Sequence, residues 1–365
     1  MFLNNSEMNH LILIKDAVKK DFVYTELLNL CKTIQPNLQE PNFSFTYAAC
    51  ILASRNKIQD AMQLFKLNKE DTFCSIMYTY LEDYGVFEPD GKVFKSAAPY
   101  DIYSRTEFFQ IHQARAIQNT IKILENIPPP DSESPATIID IGPGNGSLIA
   151  KIVNEIASVH QFNSIRLVFV DPFEDMLKTA SEYCKENIEV QTEIITICCK
   201  IQEITTEQVE LIKQNTPVWF INAALSIHHM PWEQKIPMLK QLRTFSPHLV
   251  LTEVDWNHDL PEKDSPELIF SVAKSYGIFC KDIFKLPVSE KDKKLCLYLF
   301  PISEAINIIK QDRLNRIDFH TPITEWKKIA KEAGYSTDKA MPTYVVDDKP
   351  FAFTMGFQDK AANIR

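Results

Sequence analysis

Three of the chain's eight glycines fall within five residues, in the run Ile138-Ile139-Asp140-Ile141-Gly142-Pro143-Gly144-Asn145-Gly146-Ser147-Leu148. Average usage would give a chain of 365 residues roughly 25 glycines, so the cluster is not a compositional accident. An apolar run closed by an acid, a glycine turn and a helix-compatible stretch read as strand, tight loop and helix. Glycine is required where the backbone turns with positive φ, and where a ligand lies against the main chain. The helix that follows offers free N–H groups at its first turn. A ligand-free strand–helix turn needs fewer than three glycines. A dinucleotide loop, G-x-G-x-x-G, would place its third glycine at 147, where this chain has Ser147, which disfavours a nicotinamide dehydrogenase.

Downstream, short apolar runs alternate with helical stretches. Strands are expected over 137–141, 167–170, 194–198, 218–221 and 249–254, and helices near 147–159, 173–186, 205–214, 232–244 and 265–276. This alternation implies parallel pairing through right-handed crossovers, hence an α/β, doubly wound, Rossmann-like sheet. Beyond 276 the pattern turns helical and closes with a helix carrying Thr321 as N-cap, Pro322 at its first position and Gly334 as C-cap. Residues 341–357 can supply a final pair of strands.

The stretch Pro128-Pro129-Pro130-Asp131-Ser132-Glu133-Ser134-Pro135 can be neither helix nor central strand, and it divides the chain into a helical N-terminal cap, 1–127, and a ligand-binding domain, 136–358. The cap shows helical spacing throughout, and its last helix is expected to open on a capping box, Ser104-Arg105-Thr106-Glu107. Residues 80–103 read as a loop. Tyr100, Tyr103, Phe108 and Phe109 form an aromatic group that can serve as a lid or as packing.

Lys+Arg number 39 against Asp+Glu 48, so the net charge of −9 gives no global attraction to nucleic acid or anionic lipid. The eight cysteines form no C-x-x-C, and no His/Cys ladder has zinc spacing, so no metal is expected. Scattered among apolar residues, they suit free thiols in a reducing compartment. The apolar run Leu11-Ile12-Leu13-Ile14 is too short to span a membrane and lacks signal-peptide flanks. A cytoplasmic protein handling a small molecule, without nucleic-acid or membrane partners, is the expectation.

The glycine loop resembles motif I of class I S-adenosylmethionine-dependent methyltransferases, D/E-x-G-x-G-x-G. The resemblance implies that Gly142, Gly144 and Gly146 lie along the methionine part of the cofactor and that Asp140 helps bind its ammonium group. It also implies that Asp171, closing Leu167-Val168-Phe169-Val170-Asp171, takes the ribose hydroxyls, a bidentate task suited to a carboxylate. After the third strand the family often places a polar group near the adenine amine; here Ile201 or Gln202 stands in that region. The fourth strand leads into Asn222-Ala223-Ala224-Leu225-Ser226-Ile227-His228-His229. Ligands of open α/β sheets sit outside the carboxyl ends of the strands, where Asn222 and the histidines fall. Small-molecule methyltransferases often carry a similar Asn…His-His stretch, and a histidine there can accept a proton as the methyl arrives. Equally, His228 and His229 can do no more than orient the following helix.

A narrower resemblance, over about 105–358, is to the GRAS family. Glu253-Val254-Asp255-Trp256-Asn257-His258-Asp259 is similar to its E-x-x-x-N-H-N segment, and Arg313-Leu314-Asn315-Arg316-Ile317-Asp318 with Trp326 and Ala333-Gly334-Tyr335 to its ending. The resemblance implies that Glu253, Asn257 and His258 face the methyl-transfer site, with the strand order 3-2-1-4-5-7-6. The candidate set is therefore His228, Glu253 and His258 for catalysis; Asp140, Gly142, Gly144, Gly146, Asp171, Gln202 and Asn222 for the cofactor; and Tyr103, Phe109 and Asn257 for the substrate. The reading is a methyltransferase acting on an oxygen or nitrogen of a small molecule. Its alternative is a GRAS-like regulatory or binding protein that keeps the fold without turnover.

Overall fold

In the computed structural model the described residues are 3–89, 99, 102–125, 127, 129, 135–160, 162, 164–213 and 217–360. Tyr100 and most of the proline-rich stretch 128–135 lie outside them. The chain divides into two compact units, Met1–Gln110 with Trp256–Phe319, and Ile111–Asp255 with His320–Arg365. Ahead of the sheet the boundary between the units falls at Gln110/Ile111. Residues 256–319 join the N-terminal helices instead.

The first unit is helical, as the spacing predicts: α1 (Asn5–Lys19), α2 (Tyr24–Ile34), α3 (Phe43–Ser54), α4 (Ile58–Leu67) and α5 (Thr72–Tyr84). α6 (Glu107–Leu124), whose first four residues lie in this unit and the rest in the second, begins three residues later than the expected capping box at Ser104. Its first turn is held by other groups: Thr106 Oγ1 accepts from Phe109 N at 3.3 Å, and Asp282 Oδ2 accepts from Phe108 N at 2.6 Å. The helix expected to end at 276 continues as α11 (Pro266–Phe284), through Gly277. A Cβ at Gly277 would lie 3.5 Å from Phe73 Cβ, so the two helices approach closely there. α12 (Glu290–Leu299) and α13 (Pro301–Lys310) complete the unit. α11 buries Leu268, Ile269, Val272, Tyr276, Phe279 and Ile283, and Phe270 meets Phe43 edge-on at 4.9 Å.

The second unit is the doubly wound sheet. Its strands are β1 (Ala136–Ile141), β2 (Ser164–Asp171), β3 (Gln191–Cys198), β4 (Val218–Ala224), β5 (His248–Val254), β6 (Tyr335–Thr337), β7 (Met341–Val346) and β8 (Lys349–Asp359). They run in the order β3-β2-β1-β4-β5-β8-β6, with β7 also pairing β8. The first five are parallel and β8 is antiparallel to β5. β6 pairs the end of β8 (Thr337 with Phe357) and β7 its beginning (Met341 with Thr354), both antiparallel. β6 and β7 therefore act as one edge strand interrupted near Asp338, whose N–H reaches Gly356 O at 2.9 Å. Counted as one, they restore the order 3-2-1-4-5-7-6.

β1 is buried along its whole length, as a central parallel strand must be, whereas β3 at the edge is half exposed. The faces separate by residue parity. Ile139, Ile141, Val168, Ile221 and Leu251 pack with helices α10 (Trp232–Leu242) and α14 (Ile323–Ala333). Ile138, Leu167, Phe169, Phe220 and Val250 pack with α7 (Ser147–His160) and α8 (Glu174–Asn187). α9 (Thr206–Lys213) lies between β3 and β4 in the chain.

α14 starts one residue later than Thr321-Pro322 predicts, with Pro322 at the cap. The Ile323 N–H is satisfied by Asp255 Oδ1 at 2.8 Å, and Gly334 closes the helix at φ 94°. Asp347 and Asp348 make the β7–β8 turn with φ of 48° and 59°, the left-handed pair that matches strand twist in a two-residue hairpin. Asp21, Asn56, Leu225 and Asp264 also carry positive φ without being glycine. Among the described residues, no helix is long and apolar enough to cross a membrane.

Candidate active site

The carboxyl ends of β1, β4 and β5 bring two polar pairs together within the sheet unit. In the first, Asn222 Nδ2 donates to Asp140 Oδ1 at 2.7 Å, and both side chains are buried. The pairing follows from register, since Asp140 and Asn222 are direct neighbours on β1 and β4. Burial pushes the Asp140 carboxyl up to about 7, the charge of Asp171 adds to the shift, and only the Asn222 bond opposes it. The glycine loop follows with φ of 66°, 58° and 80° at Gly142, Gly144 and Gly146. A Cβ on Gly142 would stand 2.6 Å from Ser226 Cβ, so the loop after β1 lies directly against the turn after β4. We expect Gly142→Ala to combine that overlap with a left-handed alanine and to cost at least about 1–2 kcal/mol of stability, measured by urea unfolding. An unchanged midpoint would mean the two loops are not in contact.

Asn145 caps α7, its Oδ1 accepting from Ser147 N at 3.1 Å and Ser147 Oγ at 2.7 Å. Ser147, the residue that departs from a dinucleotide loop, also accepts from Gln113 Nε2 at 3.0 Å. Asp171 closes β2; its Oδ1 accepts from Phe173 N at 2.8 Å, and burial raises its carboxyl against that bond and the charge of His229. Gln202 is exposed on the turn Ile201–Glu203, with its amide 3.5 Å from Gln234 Oε1, while Ile201 is buried.

The second pair is His228 with Glu253. His228 Nδ1 lies 2.9 Å from Glu253 Oε2, and Glu253 Oε1 accepts from the main-chain N–H groups of Ile227 and His228 at 3.1 and 3.3 Å. Burial works to raise the Glu253 carboxyl, but the charge and hydrogen bond of His228, with the charges of Lys235 and His229, hold it below its usual value. An ionised Glu253 can accept a hydrogen bond from the Nδ1–H tautomer of His228. The Glu253 carboxylate thereby holds both the main chain and the ring of His228. Leu225, at φ 51°, sets up this turn, its N–H bonded to Thr252 O at 2.8 Å.

Three residues of this unit were not singled out by the sequence. His320 is buried with its ring centroid 4.3 Å from that of His228. Lys235 is fully buried, donates to Thr321 Oγ1 at 2.6 Å and lies 5.4 Å from the Trp326 ring. His112 is buried beside Thr343 (Nδ1 to Oγ1, 2.8 Å), and burial pushes its imidazole down to about 4. Of their partners, Thr321 carries a sequence signal, that of a helix cap.

The remaining candidates lie in the helical unit. Tyr103 and Phe109 are buried in an aromatic group with Phe108, Phe279 and Phe300, at 4.6 Å between the Tyr103 and Phe300 centroids. Asn257 donates to Glu267 Oε1 at 2.9 Å. His258 is fully buried and stacked on Tyr276 at 5.9 Å, and its carbonyl accepts from Arg316 Nη1 at 2.9 Å.

No family model matches the chain, and no curated protein matches it in sequence. Solved structures do. SCL7 from Oryza sativa is 12% identical, with 86% of this chain and 99% of that one covered and a TM-score of 0.63. The likeness is one of fold. The SAH-bound magnesium protoporphyrin IX methyltransferase (ChlM) of Synechocystis PCC 6803 is 11% identical over 74% of this chain and 97% of its own, with a TM-score of 0.44. The N-methyltransferase NodS of Bradyrhizobium japonicum WM9, also crystallised with S-adenosylhomocysteine, is 10% identical over 70% and 89%, with a TM-score of 0.38.

Proposed function

We propose that the chain is an S-adenosylmethionine-dependent methyltransferase that methylates an oxygen or nitrogen of a small molecule. The observation that carries this reading is the buried Asp140–Asn222 pair beside a loop of three positive-φ glycines. A carboxyl kept near neutrality by burial, with a single neutral hydrogen bond in support, is a costly feature for a fold to keep. It fits the ammonium group of an amino-acid cofactor, a cation able to draw the carboxyl into its ionised form. The glycine loop would lie along the methionine part, and Asp171 Oδ2 would take the ribose hydroxyls while Oδ1 stays on Phe173 N.

S-adenosylmethionine, when bound, supplies a methyl group already activated by its sulfonium. The chain's own contribution is to hold the acceptor and to take its proton. His228, with Nδ1 donated to Glu253, presents Nε2 for that proton, and Glu253 stabilises the imidazolium that results. Tyr103, Phe109, Asn257 and His258 lie in the helical unit, and no step of this reading is assigned to them.

Calorimetric titration with S-adenosylmethionine tests the reading, and a product assay over a metabolite set separates an enzyme from a binder without turnover. Asp171→Ala should weaken cofactor binding by about 1.5–3 kcal/mol, the range for hydrogen bonds to a charged group. If a 2′-deoxy cofactor analogue loses as much as the parent compound, Asp171 does not touch the ribose. Absence of binding by the intact protein would end the proposal.

A further inference from the structure

We propose that His228, Glu253 and His320 form a binding site for a divalent transition-metal ion of the zinc type. Each offers one ligand atom, and the three atoms lie within 4.8 Å of one another. The residues are 9%, 1% and 5% exposed, so the donors are largely withdrawn from water. Two imidazoles and a carboxylate form the donor set of an open zinc site, whereas calcium and magnesium demand oxygen ligands throughout. No linear zinc spacing announces the site because its ligands come from three separate segments: the turn after β4, the end of β5 and the approach to α14.

The geometry is partly prepared. Zinc bonds of about 2.0–2.1 Å at tetrahedral angles put neighbouring ligand atoms roughly 3.3 Å apart. The His228 Nδ1–Glu253 Oε2 edge, at 2.9 Å, is already of that size, while the full set of ligand atoms, within 4.8 Å of one another, has to draw in by about an ångström or more for His320 to bind. Glu253 Oε1 is fixed by two main-chain N–H groups, so Oε2 is held toward the imidazole, the outer-shell support that metal carboxylates usually have. Lys235 works against a cation, since its charge is felt at Glu253.

A metal on this site draws on the same imidazole and carboxylate that the proposed methyl transfer uses, so zinc should suppress turnover. Metal binding itself does not depend on that reading.

The test uses the full-length protein after chelator treatment, titrated with Zn²⁺ alone by calorimetry and with Co²⁺ by absorption. One equivalent of Zn²⁺, visible d–d bands of a four- or five-coordinate Co²⁺, and a Zn²⁺-dependent rise in melting temperature are expected. His320→Ala and the milder His320→Gln should each weaken Zn²⁺ binding at least tenfold while S-adenosylmethionine affinity stays unchanged. Binding by both variants equal to that of the parent protein would assign the metal to surface histidines and overturn the site, as would no stoichiometric binding by the parent. Loss of S-adenosylmethionine binding with intact Zn²⁺ binding would count against the methyltransferase reading alone.

Discussion

Replacing His228 with asparagine should lower turnover by about 10²–10⁴-fold, the usual range for a lost general base, with little change in cofactor affinity. Asparagine is the informative choice. Its side-chain amide can keep a donor where Nδ1 stands, 2.9 Å from Glu253 Oε2, while supplying no basic nitrogen. Alanine would strand a buried carboxylate and confound chemistry with folding, since breaking a buried pair costs about 3–5 kcal/mol. Single-turnover rates with saturating cofactor and acceptor check the expectation. Retention of more than half the activity would leave His228 a structural residue and catalysis to proximity and orientation.

Asp140→Asn should separate binding from stability in opposite directions. The Asp140 carboxyl is raised by burial to about 7 in the folded chain, against 3.8 for the free group. The folded state therefore holds its proton more tightly than the unfolded state. The resulting stability is complete below the unfolded value and is lost as pH rises through about 7. Asparagine escapes that loss and can still accept from Asn222. At pH 8 the variant should be more stable by about 2–4 kcal/mol, with little difference near pH 4. S-adenosylmethionine should bind it about 30–1,000-fold more weakly, as loss of a buried charge partner implies. In the parent protein, affinity should fall about tenfold per pH unit below 7 and become flat in the variant. Urea melts and calorimetry across pH 5–8 measure both effects, and a parent affinity independent of pH would remove Asp140 from the cofactor site.

The sheet unit was largely legible because its signals are local. Apolar runs closed by Asp140, Asp171 and Asn222 lie where the chain leaves a buried strand, and a glycine cluster in a glycine-poor chain marks the loop between them. Even the edge strand was foreshadowed by the pattern over 341–357. The unit division was not legible, because it depends on which helices bury α11, a tertiary matter that a proline-rich stretch does not report. The start of α6 differs from the sequence expectation for a similar reason: beside the local Thr106, Asp282, far along the chain, supplies a partner that no local pattern reports. At the site, His228 and Glu253 stood out as strand-end residues. His320 and Lys235 did not, since their neighbours are set by the packing of α10 and α14 against the sheet and nothing in their flanking sequence records it.

The left-handed residues that are not glycine have a consequence outside the folded molecule. Asp21, Asn56, Asp264, Asp347 and Asp348 occupy backbone positions that most chains give to glycine. A side chain at such a position narrows the conformations open to the denatured polypeptide, by an amount equivalent to about 0.4–1 kcal/mol per residue in stability terms, yet keeps some steric tension once the turn is made. With eight glycines in 365 residues, this protein begins its collapse from an unusually restricted coil. Five of those glycines sit at positive φ themselves, so the remaining left-handed turns are made with local tension in the finished structure rather than with freedom surrendered on the way to it.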